Sequence, residues 1–317
     1  MRARRAIAFA FATFFLAACQ ANAPAPSRRY VALVSKTTTN AFWKYVYAGA
    51  NVAATEYNLA LTMDGPENEK NYVAQNKLVE KAVADGAEAI VFSAIDYNAS
   101  TKTIQEAVKK GVKIIVIDSD VNSDQVSCRI GTDNYAAGCM AAKAAMGCEE
   151  GVLNIGIVNI DKNTANGQQR EQGFRDEIAK DMRVAMVQTV NAMEGEEEAL
   201  EKTKQLLLDY PGINVLVGLN EWTGLGISDA VEELGLAEKT LVVAFDNNVR
   251  CIRRLESGEV DALIVQNSFA MGYLGIESAY KLLKGGTLPE RINTDITLIT
   301  RENMYDEDCQ KVLFMFD

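Results

Sequence analysis

The sequence predicts an α/β fold made of two lobes, each a doubly wound parallel sheet covered by helices. Its 317 residues amount to two domains at the usual size of roughly 150 residues. From Tyr30 onward, short β-branched apolar runs alternate with longer stretches of helical periodicity. The strand segments are continuously apolar, which indicates burial on both faces, and about ten of them exceed a single sheet of usual size. Two lobes accommodate them.

The predicted elements alternate along the whole chain. Strands are predicted at 30–34, 60–63, 89–92, 114–117, 153–158, 183–189, 215–219, 241–245 and 262–265. Helices are predicted at 43–57, 72–84, 101–110 and 271–283, with others between the later strands. In open α/β sheets, ligands bind at the carboxyl ends of the strands. The residues that directly follow each strand are therefore the candidate site.

The composition excludes several classes of function. The chain contains no histidine, which removes His-based catalytic triads, imidazole metal sites and the commonest general base. No two cysteines stand at the C-x-x-C spacing of a zinc site. The formal net charge of −11 argues against a nucleic-acid partner. The sequence therefore predicts a protein without metal or cofactor that binds no nucleic acid.

The N-terminus has the pattern of an export signal. Three arginines within the first five residues precede an apolar run over 6–15, which is too short to span a bilayer. Small residues directly before Cys19 resemble the lipobox of bacterial lipoproteins. We therefore predict a signal peptide over 1–18, lipid attachment at Cys19 and a tether over 19–28. The alternative is an ordinary signal peptide with an incidental cysteine.

Polar and aromatic side chains follow the predicted strands. Asp118, Asn220, Asp246 and Gln266 each stand directly after a strand, and the segment 35–43 after the first strand ends in two aromatic residues. Carboxylates and amides hydrogen-bond hydroxyl groups, and aromatic rings cover the C–H face of a sugar. A phosphate ligand would need a glycine-rich loop or a basic cluster, and neither is present. The pattern favours a neutral polyhydroxylated ligand.

Each of these residues also has an alternative interpretation. Asn and Asp at strand–helix junctions are frequent N-caps. Phe42 and Trp43 are compatible with ordinary core positions. Asp118 and Asp246 are, by residue type, a candidate glycosidase pair whose separation the sequence does not fix. An enzyme therefore remains an alternative to a binding protein.

Seven ordered motifs resemble those of one family. They are 40–43 (Asn-Ala-Phe-Trp), 117–119 (Ile-Asp-Ser), 130–138 (Ile-Gly-Thr-Asp-Asn-Tyr-Ala-Ala-Gly), 170–174 (Arg-Glu-Gln-Gly-Phe), 220–221 (Asn-Glu), 244–246 (Ala-Phe-Asp) and 265–266 (Val-Gln). Over nearly all of 29–317, the chain resembles the ribose/galactose branch of the type I periplasmic binding proteins. These are the extracellular solute receptors of ABC importers.

The resemblance implies how the two lobes are joined. The chain would cross a hinge between the lobes three times, so that neither lobe is continuous in sequence. The first lobe would comprise 29–131 plus 267–295, and the second 132–266 plus 296–317. The ligand would lie in the cleft between them. Its contacts with both lobes would exist only in the closed state, so that binding shifts the protein toward closure.

The resemblance also implies ligand-binding residues in the first lobe. Asn40 would hydrogen-bond the ligand, Phe42 and Trp43 would pack on its ring, and Asp118 would bind paired hydroxyls. Lys36 stands where a small hydroxyl residue is common in the family. Together with the segment Asp118-Ser119-Asp120 it is similar to the arrangement in receptors for furanosyl autoinducer signals, and we include it in the ligand-binding set.

The second lobe and the hinge would complete the site. The resemblance implies a ligand contact at Gln168, whereas Arg170 would be structural. Asn220, Asp246 and Gln266 would supply the remaining hydrogen bonds.

Two departures from the family pattern bear on the ligand. Ser119 stands where ribose binders have an arginine, so a bidentate contact is missing. Met193 and Glu194 stand where some members have an aromatic residue that sandwiches the ring. The ring would then be stacked from one side only.

The resemblance, taken together with the lipobox-like residues before Cys19, implies a monomeric, lipid-anchored and non-enzymatic receptor on the extracytoplasmic face of the membrane. It would capture a sugar or sugar-like small molecule and deliver it to the permease of an ABC importer. Its only contact with the bilayer would be through the lipid on Cys19. The alternative is a signalling receptor of the same fold that presents a furanosyl autoinducer to a membrane sensor.

Overall fold

The computed structural model describes residues 28–147 and 151–314. The predicted signal peptide, Cys19 and nearly all of the predicted tether lie outside these ranges. Within them, no helix combines the length and the apolar character that a membrane span requires. The described chain forms two α/β lobes, each built on one six-stranded sheet.

The first five strands and three helices form most of the first lobe. They are β1 (Tyr30–Val34), α1 (Ala41–Glu56), β2 (Ala60–Asp64), α2 (Tyr72–Ala84), β3 (Ala89–Phe92), α3 (Thr101–Lys109), β4 (Lys113–Ile117) and β5 (Cys128–Thr132). Neighbouring side chains of one strand enter opposite layers: Ile114 packs with Val79 on one face of the sheet, and Ile115 with Val46 on the other. Burial on both faces explains the continuously apolar strands.

The middle of the chain forms most of the second lobe. Its elements are α4 (Asn134–Ala145), β6 (Leu153–Asn159), α5 (Ala165–Ile178), β7 (Val184–Asn191), α6 (Glu196–Asp209), β8 (Val215–Gly218), α7 (Glu221–Glu233), β9 (Leu241–Phe245), α8 (Val249–Ser257) and β10 (Ala262–Gln266). The chain then adds α9 (Ser268–Leu283) and β11 (Arg291–Thr294) to the first lobe, and β12 (Ile296–Thr300) and α10 (Glu307–Leu313) to the second.

The strand orders are β11-β5-β4-β3-β1-β2 in the first sheet and β12-β10-β9-β8-β6-β7 in the second. All neighbouring strands are parallel except β12, which runs antiparallel to β10. The chain crosses between the sheets after β5, after β10 and between β11 and β12. At the crossings, the Thr132 hydroxyl donates a hydrogen bond to Oε1 of Gln266 at 2.9 Å. The predicted fold class is confirmed, including its three-crossover hinge.

The sequence did not predict β5, β11 and β12 as strands. Arg129 and Gly131 interrupt the apolar pattern of β5, and β11 reads Arg-Ile-Asn-Thr, with a single apolar residue. Both β11 and β12 are edge strands with one neighbour each. Edge strands are buried less completely than central ones, and their sequences therefore carry a weaker apolar signal.

Two glycines bring α9 close to α1. A Cβ atom on Gly49 would lie 2.0 Å from the Phe269 carbonyl oxygen, and one on Gly272 would lie 1.9 Å from that of Val46. Neither position therefore has room for a side chain. The close approach joins the start of the first lobe to a helix that follows most of the second lobe, α4 to β10, in sequence.

Candidate functional site

A cavity lies between the two lobes, at the carboxyl ends of both sheets. Its empty space, including the part open to solvent, amounts to about 300 Å³. Its lining residues come from both lobes, and Gln266 stands at the end of β10, where the chain crosses back to the first lobe. They are Lys36, Asn40, Phe42, Trp43, Glu69, Asp118, Ile160, Asn166, Arg170, Asn220, Glu221, Trp222, Asp246 and Gln266.

Eight of the nine ligand-binding residues predicted from the sequence line this cavity. The exception is Gln168, which is exposed and not part of the lining. Because α5 begins at Ala165, Asn166 and Arg170 lie one turn apart on the face toward the cavity, and Gln168 points away from it. The prediction chose the right helix but the wrong face.

Asp118 and Asp246 occupy equivalent positions in the two lobes. Each directly follows its strand, β4 or β9, with a left-handed backbone at φ 56° and 71° respectively. The Asp118 N–H donates to the Ile130 carbonyl at 3.0 Å, and that of Asp246 to the Ile264 carbonyl at 2.9 Å. Asp tolerates this conformation better than branched residues do. The backbone thus turns both carboxylates out of the sheets at the cleft.

Lys36 forms a buried ion pair in the first lobe. Its Nζ lies 2.8 Å from Oε2 of Glu69 and 3.8 Å from Oδ2 of Asp118. Burial alone would lower the pKa of Lys36, but the charges of Glu69 and Asp118 outweigh it and hold the pKa above its ordinary value. Asp118 also accepts a hydrogen bond from the Ser93 hydroxyl at 2.9 Å. Lys36 therefore stays charged.

Glu69 was not predicted from the sequence. It accepts a hydrogen bond from Nε1 of Trp43 at 3.2 Å in addition to its pair with Lys36. It stands in the loop between β2 and α2, five residues beyond the end of β2 at Asp64. A search confined to residues directly after strands passes over such a position, whereas a search of the whole loop would have reached it.

Arg170 is buried beneath the second-lobe side of the cavity. Its Nε donates to Oδ1 of Asn134 at 2.9 Å, its Nη1 to the Leu219 carbonyl at 2.7 Å and its Nη2 to Oε1 of Gln266 at 2.6 Å. The guanidinium carbon lies 4.6 Å from the centre of the Phe245 ring. These contacts agree with the structural role implied by the resemblance, and Arg170 lines the cavity as well.

Asp246 has one carboxylate oxygen without a protein partner. Its Oδ1 accepts a hydrogen bond from Nε2 of Gln266 at 2.8 Å, and within 28–147 and 151–314 no group donates to Oδ2. Burial raises the pKa of Asp246 to about 7; the Arg170 charge and the Gln266 hydrogen bond oppose the shift, while Glu221 and Asp118 add to it. Oδ2 is therefore an acceptor that a hydrogen-bond donor of a ligand would satisfy.

Asn40 and Asn220 are N-caps as well as lining residues. Oδ1 of Asn40 accepts a hydrogen bond from the Trp43 N–H at 3.1 Å, and Oδ1 of Asn220 accepts one from the Thr223 N–H at 3.0 Å. The N-cap interpretation that the sequence left open is thus correct for both. Capping uses the oxygen of each amide. Nδ2 of Asn40 also donates to Oε1 of Glu69 at 3.5 Å, which leaves one of its two N–H groups for a ligand, whereas within 28–147 and 151–314 no group accepts from Nδ2 of Asn220.

Aromatic side chains enter the cavity from both lobes. Phe42 and Trp43 contact each other edge to face, with ring centres 5.2 Å apart. Trp222, which was not predicted, lines the cavity from the second lobe and donates from Nε1 to the Ala192 carbonyl at 3.0 Å. Met193 and Glu194 are exposed. The second-lobe aromatic is thus present, but on α7 rather than at the position that the resemblance suggested.

The lobes are closed on each other. Nδ2 of Asn166 donates to Oδ1 of Asp118 across the cleft at 3.1 Å, and the Tyr97 N–H donates to the Asn163 carbonyl at 3.1 Å. These bonds join loops and helix ends of the two lobes directly. The described conformation is therefore the closed one.

The sequence matches the family model described as a periplasmic binding protein domain over residues 31–287. The chain belongs to the periplasmic binding protein family. The resemblance found in the sequence motifs is therefore confirmed. The family consists of solute-binding proteins rather than enzymes.

Curated periplasmic binding proteins with sugar ligands are similar to this chain over most of its length. The D-ribose/D-allose-binding protein of Pseudomonas aeruginosa is 27% identical in an alignment of 305 residues that covers 90% of this chain and 93% of that protein. The ribose import binding protein of Escherichia coli K12 is 24% identical over 284 residues, 89% of this chain and 94% of that protein. These relatives are named as import or sugar-binding proteins, so the comparisons do not favour the signalling alternative.

Solved periplasmic binding proteins have the same fold. A solute-binding protein of an ABC transporter from Agrobacterium vitis, with bound D-fucose, gives a TM-score of 0.86 at 27% identity and covers 90% of this chain and 99% of its own. A carbohydrate transporter solute-binding protein from Agrobacterium radiobacter, in complex with D-arabinose, gives a TM-score of 0.85 at 28% identity. The match covers 91% of this chain and 100% of that protein.

Proposed function

We propose that this periplasmic binding protein captures a neutral monosaccharide between its lobes and delivers it unchanged to the permease of an ABC importer. The unpartnered Oδ2 of Asp246, which faces the cavity, is the observation that carries the proposal. Amide donors of Asn40 and Asn220 and the rings of Phe42 and Trp222 surround the same space. This combination suits the hydroxyls and the C–H face of a sugar. The sugar-bound neighbours support the proposal.

The charges at the cavity favour an uncharged ligand. The cations Lys36 and Arg170 stand among four carboxylates, those of Glu69, Asp118, Glu221 and Asp246. An anionic sugar acid or sugar phosphate would add negative charge to a site that already has an excess, at low dielectric and without a free cation to pair with. Most of the carboxylates are held by protein donors, which supports binding rather than turnover.

Titration calorimetry tests the proposal. D-ribose, D-allose, D-fucose and D-arabinose form the first panel, and D-galacturonate is the matched anionic control. We expect at least one neutral sugar to bind with a micromolar or lower dissociation constant and galacturonate not to bind. Binding to none of the neutral sugars, or tighter binding of galacturonate than of all of them, would reject the assignment.

We further propose that the mature protein is a monomer held on the extracytoplasmic face of the membrane by lipid on Cys19, with no other contact to the bilayer. The small residues before Cys19 support lipid attachment. Cys19→Ser is expected to move the protein from the membrane fraction to the soluble extracytoplasmic fraction. Cys139→Ser serves as the control that stays with the membrane. Equal membrane retention of both variants would contradict the lipid anchor.

Sugar affinity is expected to fall as the pH is lowered through about 7, because Asp246 has a pKa of about 7. A sugar hydroxyl donates to the ionised Oδ2, so binding favours the ionised form and releases a proton. One unit below the pKa only about one-tenth of the carboxylate is ionised, and the affinity at pH 6 is therefore expected to be about tenfold lower than at pH 8.

Calorimetry at pH 6 and pH 8, in pairs of buffers with different ionisation enthalpies, measures both the affinity and the released proton. The measurement uses the tightest-binding sugar of the panel. Equal affinities at both values of pH, with no proton released, would contradict the role of ionised Asp246.

A further inference from the structure

Glu221, the first residue of α7, joins the two lobes through backbone groups of α1. Its Oε2 accepts a hydrogen bond from the Phe42 N–H at 3.1 Å, and its Oε1 accepts one from the Ala41 N–H at 3.4 Å. Oε1 also accepts from Nδ2 of Asn248, in its own lobe, at 2.8 Å. The carboxylate is buried. Its partners lie on both sides of the cleft, and all of them belong to the protein itself.

The N-terminus of α1 lacks a carboxylate of its own. The first turn of the helix contains no acidic residue, and the N-cap Asn40 bonds the N–H of Trp43. The N–H groups of Ala41 and Phe42 are among the first four of the helix, which have no partner inside it. A negative charge at this end also interacts favourably with the helix dipole. Glu221 supplies both contributions from the opposite lobe.

This contact exists only while the lobes are closed. Opening the cleft separates α7 from α1, so the N–H groups of Ala41 and Phe42 then bond water. Asn248 remains with Glu221 because both belong to the second lobe. The closed form thus gains two charge-assisted hydrogen bonds whether or not a ligand is present, and these shift the open–closed equilibrium toward closure.

We propose that Glu221 is a latch that raises the closed fraction of the protein and thereby strengthens the binding of every ligand by a common factor. The apparent dissociation constant equals the intrinsic one divided by the fraction of molecules in the binding-competent state. A residue that contacts the ligand instead changes the affinities of stereoisomeric sugars unequally, because each presents different hydroxyls. The ratio of affinities therefore distinguishes a latch from a ligand contact.

Calorimetry with D-ribose, D-allose, D-fucose and D-arabinose tests the latch in Glu221→Ala and Glu221→Gln. Glu221→Ala is expected to raise the dissociation constant of each sugar that binds the wild type by one common factor of about 10- to 100-fold. Glu221→Gln keeps an acceptor oxygen without the charge, so its dissociation constants are expected to lie between those of the wild type and those of Glu221→Ala.

The matched control is Glu194→Gln, which removes the exposed ion pair of Glu194 with Lys70 across the same cleft. Its effect on each dissociation constant is expected to stay within about threefold, because exposed ion pairs contribute little.

Small-angle scattering of the ligand-free protein adds a measurement that needs no sugar. We expect a larger radius of gyration for Glu221→Ala than for the wild type. Affinity losses that differ between sugars, or an unchanged radius with unchanged affinities, would overturn the latch. If the wild type binds none of the four sugars, the proposed function is rejected but the latch is not. In that case an unchanged radius of gyration in Glu221→Ala is by itself enough to overturn the latch. Should Glu221→Ala not fold, Glu221→Gln decides by the same criteria.

Discussion

Asp246→Asn is expected to weaken sugar binding at least about 100-fold while unfolding remains a single cooperative transition. The substitution removes the charged acceptor at Oδ2 and leaves an NH₂ group or an uncharged oxygen facing the ligand hydroxyls, at the cost of one charge-assisted hydrogen bond or more. Asn keeps the shape of the side chain and tolerates the left-handed backbone at this position. Calorimetry measures the first effect and thermal denaturation the second.

Asp246→Ala and Asp261→Asn complete this comparison. Asp246→Ala removes the acceptor altogether and is likewise expected to abolish binding with cooperative unfolding intact. Asp261 is an exposed residue of the same lobe, directly before β10 at the amino end of the sheet, where its carboxylate accepts a hydrogen bond from the Val242 N–H at 2.8 Å. Its Asn variant is expected to bind sugar normally. A collapse of the unfolding transition in parallel with binding would instead make Asp246 a structural residue.

Arg170→Leu is expected to lower the free energy of unfolding by about 3–5 kcal/mol. The leucine leaves the Leu219 carbonyl and Oδ1 of Asn134 without their donors inside the protein, and it removes the buried positive charge next to Asp246. Unsatisfied buried acceptors cost about 1–3 kcal/mol each, and the uncompensated carboxylate adds to this. The loss of this charge also raises the pKa of Asp246 further.

Arg175→Leu is the matched control, five residues further along α5. Arg175 is partly exposed and pairs with Glu171 on the same helix. Its replacement is expected to cost no more than about 1 kcal/mol, as is usual for such pairs. Chemical denaturation of both variants measures the difference. Similar losses for the two would mean that the three hydrogen bonds of Arg170 contribute little to stability.

The residues directly after the strands could be found from the sequence because the short apolar runs that predict the strands have clear ends. Asp118 and Asp246 follow strands whose apolar runs end abruptly, and both line the cavity. Gln168 was misplaced because its position depends on the phase of α5, and one residue of helix turns a side chain by about 100°. Asn40 is an N-cap and also lines the cavity, so its role as a cap does not conflict with the predicted ligand contact.

The contributions of Glu69 and Glu221 could not be read from the sequence for a different reason. Glu69 acts through Lys36, which is far from it in the chain, and Glu221 acts through the backbone of a helix in the other lobe. Both contacts arise only when distant segments meet. Neither the type of a residue nor its spacing along the chain predicts a contact between distant segments. The edge strands β11 and β12 were not predicted for a related reason. They are strands because they pair with a neighbouring strand, and their local composition does not indicate this.

The pairing of α1 with α9 determines when the first lobe is able to form during translation. The ribosome releases α1 early, but the helix that covers it is made only after α4 to β10, which form most of the second lobe. Until Phe269 and Gly272 have emerged, the face of α1 around Gly49 lacks its partner. The nascent chain therefore cannot complete its N-terminal half first, and a fragment ending before residue 268 is expected to remain incompletely folded and prone to proteolysis.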